Sequence, residues 1–169
     1  IRAFGGSLRR VYLYDTFSGM PEPTSEDVIA WNGKSVLEKL AEERTAGKDS
    51  FESWSVGRKE VEANMRATGY PVEKIEVVEG DVCETLNATV PGRVPEELAL
   101  LRLDTDWYAS TVVELERLYP RLISGGILII DDYGHFKGAR KAVDAYFDKI
   151  GSHPYLSRVD YTGRVLVKP

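Results

Sequence analysis

The stretch LALLRLDTDWYASTVVELERLYPRLISGGILIIDDY, residues 98–133, decides how the rest of the chain is read. Leu98 to Leu103 is a short, nearly uninterrupted apolar run, the pattern of a strand buried on both faces. It ends at Asp104-Thr105-Asp106. Thr111 and Glu114 form a T-x-x-E pair of the kind that caps a helix start. Val112, Leu115, Tyr119 and Leu122 fall on one face of the helix expected to follow. Gly125-Gly126 should break that helix, and Ile127 to Ile130 should form a second buried strand ending at Asp131-Asp132. A strand–helix–strand order needs a right-handed crossover and hence parallel strands, so both acidic ends lie on one sheet edge. Ligands of open α/β sheets bind beyond that edge. Carboxylates gathered there repel one another. A hard cation such as Mg²⁺, which takes carboxylate, water and substrate oxygens, relieves the repulsion.

A chain of 169 residues, 43% hydrophobic and 29% charged, can bury a sizeable core as one domain. Its net charge of -5 argues against nucleic acid or an anionic membrane as the main partner. A single cysteine, Cys83, excludes an intrachain disulfide and fits a reducing cytosol. No apolar run reaches the ~18 residues of a membrane span, and no signal-peptide pattern is visible. A cytoplasmic protein is expected.

Outward from the centre, Val11 to Tyr14 reads as a strand closed by Asp15, and TFSGMPEPTSEDV as a fixed loop. Asp15 either caps that turn or holds ribose hydroxyls, as acids at strand ends do in nucleotide-binding folds. A short helix is expected over Ser35 to Arg44, then a loop through Gly47 and Ser50. Residues 30–55 are a lid or a solvated connector, and the aromatics Trp31, Phe51 and Trp54 favour the lid. A helix over Val56 to Thr68, with Val61 and Met65 inward, should end at Gly69. Lys74 to Val78 is the next strand, closed by Gly80-Asp81. Asp81 and Glu84 form a second capping pattern before a helical turn at Val82 to Leu86; Asp81 is either that cap or part of a loop over a cofactor's adenine. Gly138 to Ile150 reads as an amphipathic helix burying Ala142, Val143, Tyr146, Phe147 and Ile150. Leu156 to Asp160 and Arg164 to Val167 read as an antiparallel hairpin around Tyr161-Thr162-Gly163. With no repeat, low-complexity tract or linker, residues 1–169 are expected to be a single domain.

Three stretches, VYLYDTFSGMPEP, EVVEGDVCETL and LRLDTDWYASTVVELERLYPRLISGGILIIDDYGHFKGARKAVDAYF, resemble the macrocin O-methyltransferase (TylF) family from about Arg10 to the C-terminus. The most specific parts are D-T-F-S-G-x-P, R-x-D-x-D-x-Y-x-S-T and I-I-D-D-Y. The resemblance implies a Rossmann-like class I methyltransferase sheet, mostly parallel with a C-terminal antiparallel hairpin. It implies a Mg²⁺-dependent enzyme that moves a methyl group from S-adenosylmethionine to a hydroxyl, of a sugar, on a small-molecule natural product of the antibiotic kind. Asp104, Asp131 and Asp132 would be metal ligands and Asp104 also the general base. Asp15, Ser18, Gly80, Asp81, Val82 and Asp104 would border the cofactor. Trp107, Tyr108 and Tyr133 flank the acids and either stack on a sugar face or pack in the core, His135 stands near them, and a homo-oligomer is implied.

The family also implies a first strand and glycine-rich cofactor turn about one helix before Val11, which residues preceding Arg9 do not supply, so the domain is expected to be N-terminally incomplete. Two other readings compete. A haloacid dehalogenase-type phosphatase shares D-x-D and a later acidic pair. However, the 27 positions from Asp104 to Asp131 leave no room for its intervening motifs. A non-catalytic methyltransferase-like binding domain is disfavoured because clustered like charges cost stability if they bind nothing.

Overall fold

A computed structural model describes residues 9–48, 55–88 and 92–169. The elements in order are β1 (Val11–Asp15), α1 (Val36–Thr45), α2 (Arg58–Ala67), β2 (Ile75–Glu79), α3 (Val82–Thr85), β3 (Leu98–Leu103), α4 (Tyr108–Leu118), β4 (Leu122–Ile130), α5 (Lys137–Lys149), β5 (Ser157–Arg158) and β6 (Arg164–Val167). β1 and β2 pair in parallel. β3 and β4 pair in parallel, and β6 then β5 extend that sheet antiparallel, in the order β3-β4-β6-β5. This is the expected mixed sheet with its closing hairpin.

The main core lies where α4 and α5 cover one face of the four-stranded sheet, around Leu115, Leu122, Leu128 and Val143. Each such side chain contributes about 1.5–3 kcal/mol on leaving water. Tyr14 of β1 packs against this core, and its hydroxyl donates to the carbonyl of Arg93. A second cluster of Ile29, Val36, Leu40, Trp107, Phe136 and Ala139 anchors the loop after β1 to both acid-bearing segments. Among the described residues, no helix is long and apolar enough to cross a membrane.

Several expectations are corrected. β3 is buried on one face only: Leu101 and Leu103 are 6% and 3% exposed, but Leu100 is 53% exposed. α4 begins a turn before Thr111, whose hydroxyl donates to the carbonyl of Trp107 instead of capping. Gly125 and Gly126 lie inside β4 and do not end a helix. Leu98 pairs with Leu122 but Leu100 with Ile127, so β4 advances five positions while β3 advances two. Glycine, with Gly125 at φ 76°, absorbs that bend at no steric cost. α2 starts at Arg58 with no fully buried residue, so Val61 and Met65 are only half-buried. Ile150 lies past the end of α5 and is 46% exposed. Of the expected lid, α1 is present, while Ser50, Phe51 and Trp54 lie outside the described residues.

Candidate active site

β3 and β4 end side by side, Leu103 opposite Ile130, and the Asp131 amide continues the ladder by donating to the Leu103 carbonyl at 3.0 Å. The acids that follow therefore emerge together. One oxygen from each of Asp104, Asp106 and Asp132 lies within 4.8 Å of the others. Asp106 reaches this point through a left-handed backbone, φ 64°, a conformation that costs a non-glycine residue roughly 1 kcal/mol or more. The turn is tied down from behind. The Trp107 amide donates to the Thr105 carbonyl at 2.7 Å, and Thr105 Oγ1 donates to Glu114 Oε2 at 3.0 Å.

Asp131, expected among the ligands, is outside that tight trio. It sits beside Asp104, and Arg102 holds both, at 2.7 Å to Asp104 and 3.3 Å to Asp131. Burial, then a hydrogen bond with Asp131, pushes the Asp104 carboxyl up to about 7 against the opposing pull of Arg102. Burial and a hydrogen bond to Asp132 push Asp106 up to about 9. Asp132 is raised as well, by burial first, while accepting from Asp106 lowers it. Its Oδ2 is buried with no hydrogen-bond partner among the described residues. An orphaned anionic oxygen amid carboxyls driven towards protonation is a site short of positive charge. An all-oxygen donor set fits a hard divalent cation such as Mg²⁺.

A cleft opens beside the acids between the two sheets. Asp15, Gly80, Asp81, Val82 and Asp104 all line it, as do Thr105 and Ser110. Asp15 Oδ1 accepts from the Phe17 amide at 2.7 Å, and Asp81 Oδ1 caps α3 by accepting from the Cys83 amide at 2.8 Å. Ser18 is exposed and stands outside the cleft lining. Trp107 is 2% exposed, with its indole N–H donating to the Pro21 carbonyl and its ring edge against Phe136. It is a core residue with no face to offer a sugar. Tyr108 lies under the Lys141 ammonium, and Tyr133 carries the Arg140 and Arg164 guanidiniums over its ring and donates to Asp144. His135 approaches Asp132 through its backbone, with its amide donating to the Asp132 carbonyl at 3.0 Å.

The sequence pattern undervalued three residues. Asp106 is left without a role when the strand is read as ending at Asp104-Thr105-Asp106, although the D-x-D spacing is a signal for it. Glu114 reads as a capping partner but is a buried acceptor for Thr105. Asp27 carries only the T-x-x-D spacing from Thr24, which gives no sign of its reach to the Tyr108 amide.

Comparison with known proteins identifies relatives of the chain. The family model described as macrocin-O-methyltransferase (TylF) matches residues 1–168. An 8-demethyl-8-(2,3-dimethoxy-alpha-L-rhamnosyl)-tetracenomycin-C 4'-O-methyltransferase of Streptomyces olivaceus is 34% identical over 96% of this chain and 56% of its own length. A demethyldecarbamoylnovobiocin O-methyltransferase of Streptomyces niveus is 31% identical over 96% of this chain and 56% of its own. The solved structure of the O-methyltransferase NovP superposes with a TM-score of 0.76 at 28% identity, covering 99% of this chain and 63% of that one. The chain spans little more than half the length of the curated relatives it matches.

Proposed function

The chain belongs to the macrocin-O-methyltransferase (TylF) family, and from that premise we propose that the protein transfers a methyl group from S-adenosylmethionine to a sugar hydroxyl of a small-molecule natural product, with Mg²⁺ bound at its acidic edge. One observation carries the reading: the carboxyls of Asp104, Asp106 and Asp132 converge at the shared end of β3 and β4 beside the cleft. Relatives named for methylation of tetracenomycin and novobiocin precursors support the substrate class.

The four acids supply the donor set for the cation. Asp104 and Asp132 stand in both the expected and the observed grouping, Asp131 joins through Asp104, and Asp106 through Asp132. Mg²⁺ held there would lower the pKa of the acceptor hydroxyl and orient it. Asp104, at the end of β3 and in the cleft wall, would take the hydroxyl proton as general base. Asp15 would hold the ribose hydroxyls, and Gly80, Asp81 and Val82 would border the adenine, all from the cleft wall. The methyl donor is already activated, so alignment of hydroxyl oxygen, methyl and sulfur by these contacts contributes most of the remaining acceleration.

The test is transfer of a labelled methyl group from S-adenosylmethionine to a panel of glycosylated natural products, with and without chelator. We expect transfer to a glycoside that chelator abolishes and added Mg²⁺ restores. Full transfer in chelator would remove the cation; transfer only to phenolic acceptors would replace the substrate class.

A further inference from the structure

We propose that Asp27, which is buried and does not line the cleft, is a positioning residue that holds the two acid-bearing loops in one arrangement; this rests on the acidic edge being the reaction site. Asp27 is 0% exposed. Its Oδ2 accepts from the Thr24 amide at 2.7 Å and the Thr24 hydroxyl at 2.9 Å, and its Oδ1 accepts from the Tyr108 amide at 2.7 Å. Tyr108 is the first residue of α4, and the helix's own N-cap, Trp107, makes no side-chain capping bond. The first-turn N–H groups of a helix lack internal partners and favour a carboxylate. Asp27 therefore caps α4 from 81 residues away.

The same carboxylate reaches the other loop. A Cβ on Gly138, near the start of α5, would lie 2.3 Å from Asp27 Oδ1, so only glycine admits the contact. The flanking backbone closes the clamp: the Lys137 amide donates to the Val28 carbonyl and the Ala30 amide to the His135 carbonyl, both at 2.8 Å. Asp104 and Asp106 immediately precede α4, and Asp132 precedes α5. One buried side chain thus meets the first turn of the helix that follows each group of acids. Asparagine cannot substitute. Both carboxylate oxygens face N–H or O–H donors, and a side-chain NH₂ would meet one of them donor to donor.

The experiment is Asp27→Asn, read by amide hydrogen exchange and by Mn²⁺ binding followed by electron paramagnetic resonance. Leu122→Ala, which opens a cavity in the main core at the end of β4 opposite the acids, serves as the control for general destabilisation. Loss of one buried hydrogen bond corresponds to about a tenfold effect. We expect about tenfold faster exchange at residues 104–110 and 132–138, with the second half of α4 unchanged, and about tenfold weaker Mn²⁺ binding. Leu122→Ala should leave Mn²⁺ affinity as in the wild type. Should Asp27→Asn fail to fold, Thr24→Ala, which removes one of the three bonds, should show the same local pattern more weakly. Exchange that is unchanged, or that accelerates evenly along the chain, overturns the proposal. Wild-type protein that binds no Mn²⁺ would overturn the cation of the proposed function, and the exchange pattern would still decide Asp27.

Discussion

The acids at the ends of β1 and β2 and those at the ends of β3 and β4 occupy equivalent places on two parallel pairs, yet they are held oppositely. Asp15 and Asp81 each accept from a backbone N–H two residues on, at 2.7 and 2.8 Å. Asp104, Asp106 and Asp132 face one another, and burial dominates in raising each of them. An acid served by its own backbone stabilises the turn it sits in. Acids crowded together cost stability even with Arg102 2.7 Å from Asp104, and the cost is offset more fully when a further cation or a proton arrives. On the proposed function, the difference separates the part of the edge that would grip the cofactor from the part that would handle charge.

The largest expected effect is on turnover. Asp104→Asn should lower kcat by about 10²–10⁴, the span of general acid–base assistance, and flatten the pH–rate profile near neutrality. Turnover and profile both unchanged would move the base elsewhere and erase half of the contrast.

Next comes stability against pH. The Asp104 and Asp106 carboxyls, pushed up to about 7 and about 9, lie far above the ~3.9 of an unfolded chain. The folded protein then keeps protons that the unfolded chain has released, so raising the pH through this interval favours unfolding. Melting temperature in chelator should fall from pH 5 to pH 9, and Mg²⁺ at 100 times its Kd should restore about 2.7 kcal/mol. Asp104 is half-exposed and screened by solvent, so most of the slope should belong to Asp106 and Asp132, and Asp106→Asn should flatten it. A melting temperature that climbs with pH in chelator would show that the cluster carries no such strain.

Smaller again is Glu114→Gln. Burial pushes the Glu114 carboxyl up to about 8 despite the Thr105 hydroxyl it accepts. The sign is the same: wild-type stability is spent as pH rises towards 8, and glutamine keeps an acceptor for Thr105 without ionising. The variant should melt with the wild type at pH 5 and a few degrees above it at pH 9. Identical melting at both values would mean that Glu114 ionises in the folded state as readily as in the unfolded chain, so that burial does not raise its carboxyl.

What could be seen in the sequence follows from how local each cause is. The β3–α4–β4 unit was legible because apolar runs and acidic strand ends are local, as was Asp81, which caps the helix that begins at the next residue. The start of α4 was misplaced because its cap is Asp27, which no window around Thr111 contains. Gly125-Gly126 was misread because glycine marks a bent strand as readily as a helix end. Trp107 beside three acids looked like a sugar platform, and only the packing of Phe136 and the Pro21 carbonyl shows it enclosed.

The smallest expected effect bears on the quiet side of the comparison. Asp81 has two roles to separate, the cap on α3 and the cleft wall, and they respond to different substitutions. Its Oδ1 accepts from the Cys83 amide at 2.8 Å, with its own backbone extended at φ -63°, ψ 130°, as a capping residue requires. Removing such a cap costs about 1 kcal/mol, so Asp81→Ala should lower the melting temperature by roughly 2–8 °C for a domain of this size. Serine caps about as well as aspartate, so Asp81→Ser should melt within about 1 °C of the wild type while lacking the charge. If Asp81 only caps, the serine variant keeps the wild-type KM for S-adenosylmethionine. We expect instead that its KM rises several-fold with kcat nearly unchanged, the signature of lost uniform binding, because Asp81 lines the same cleft as Asp104. A serine variant indistinguishable from wild type in both measurements would leave Asp81 a cap alone, and the ligand-gripping side of the edge would rest on Asp15.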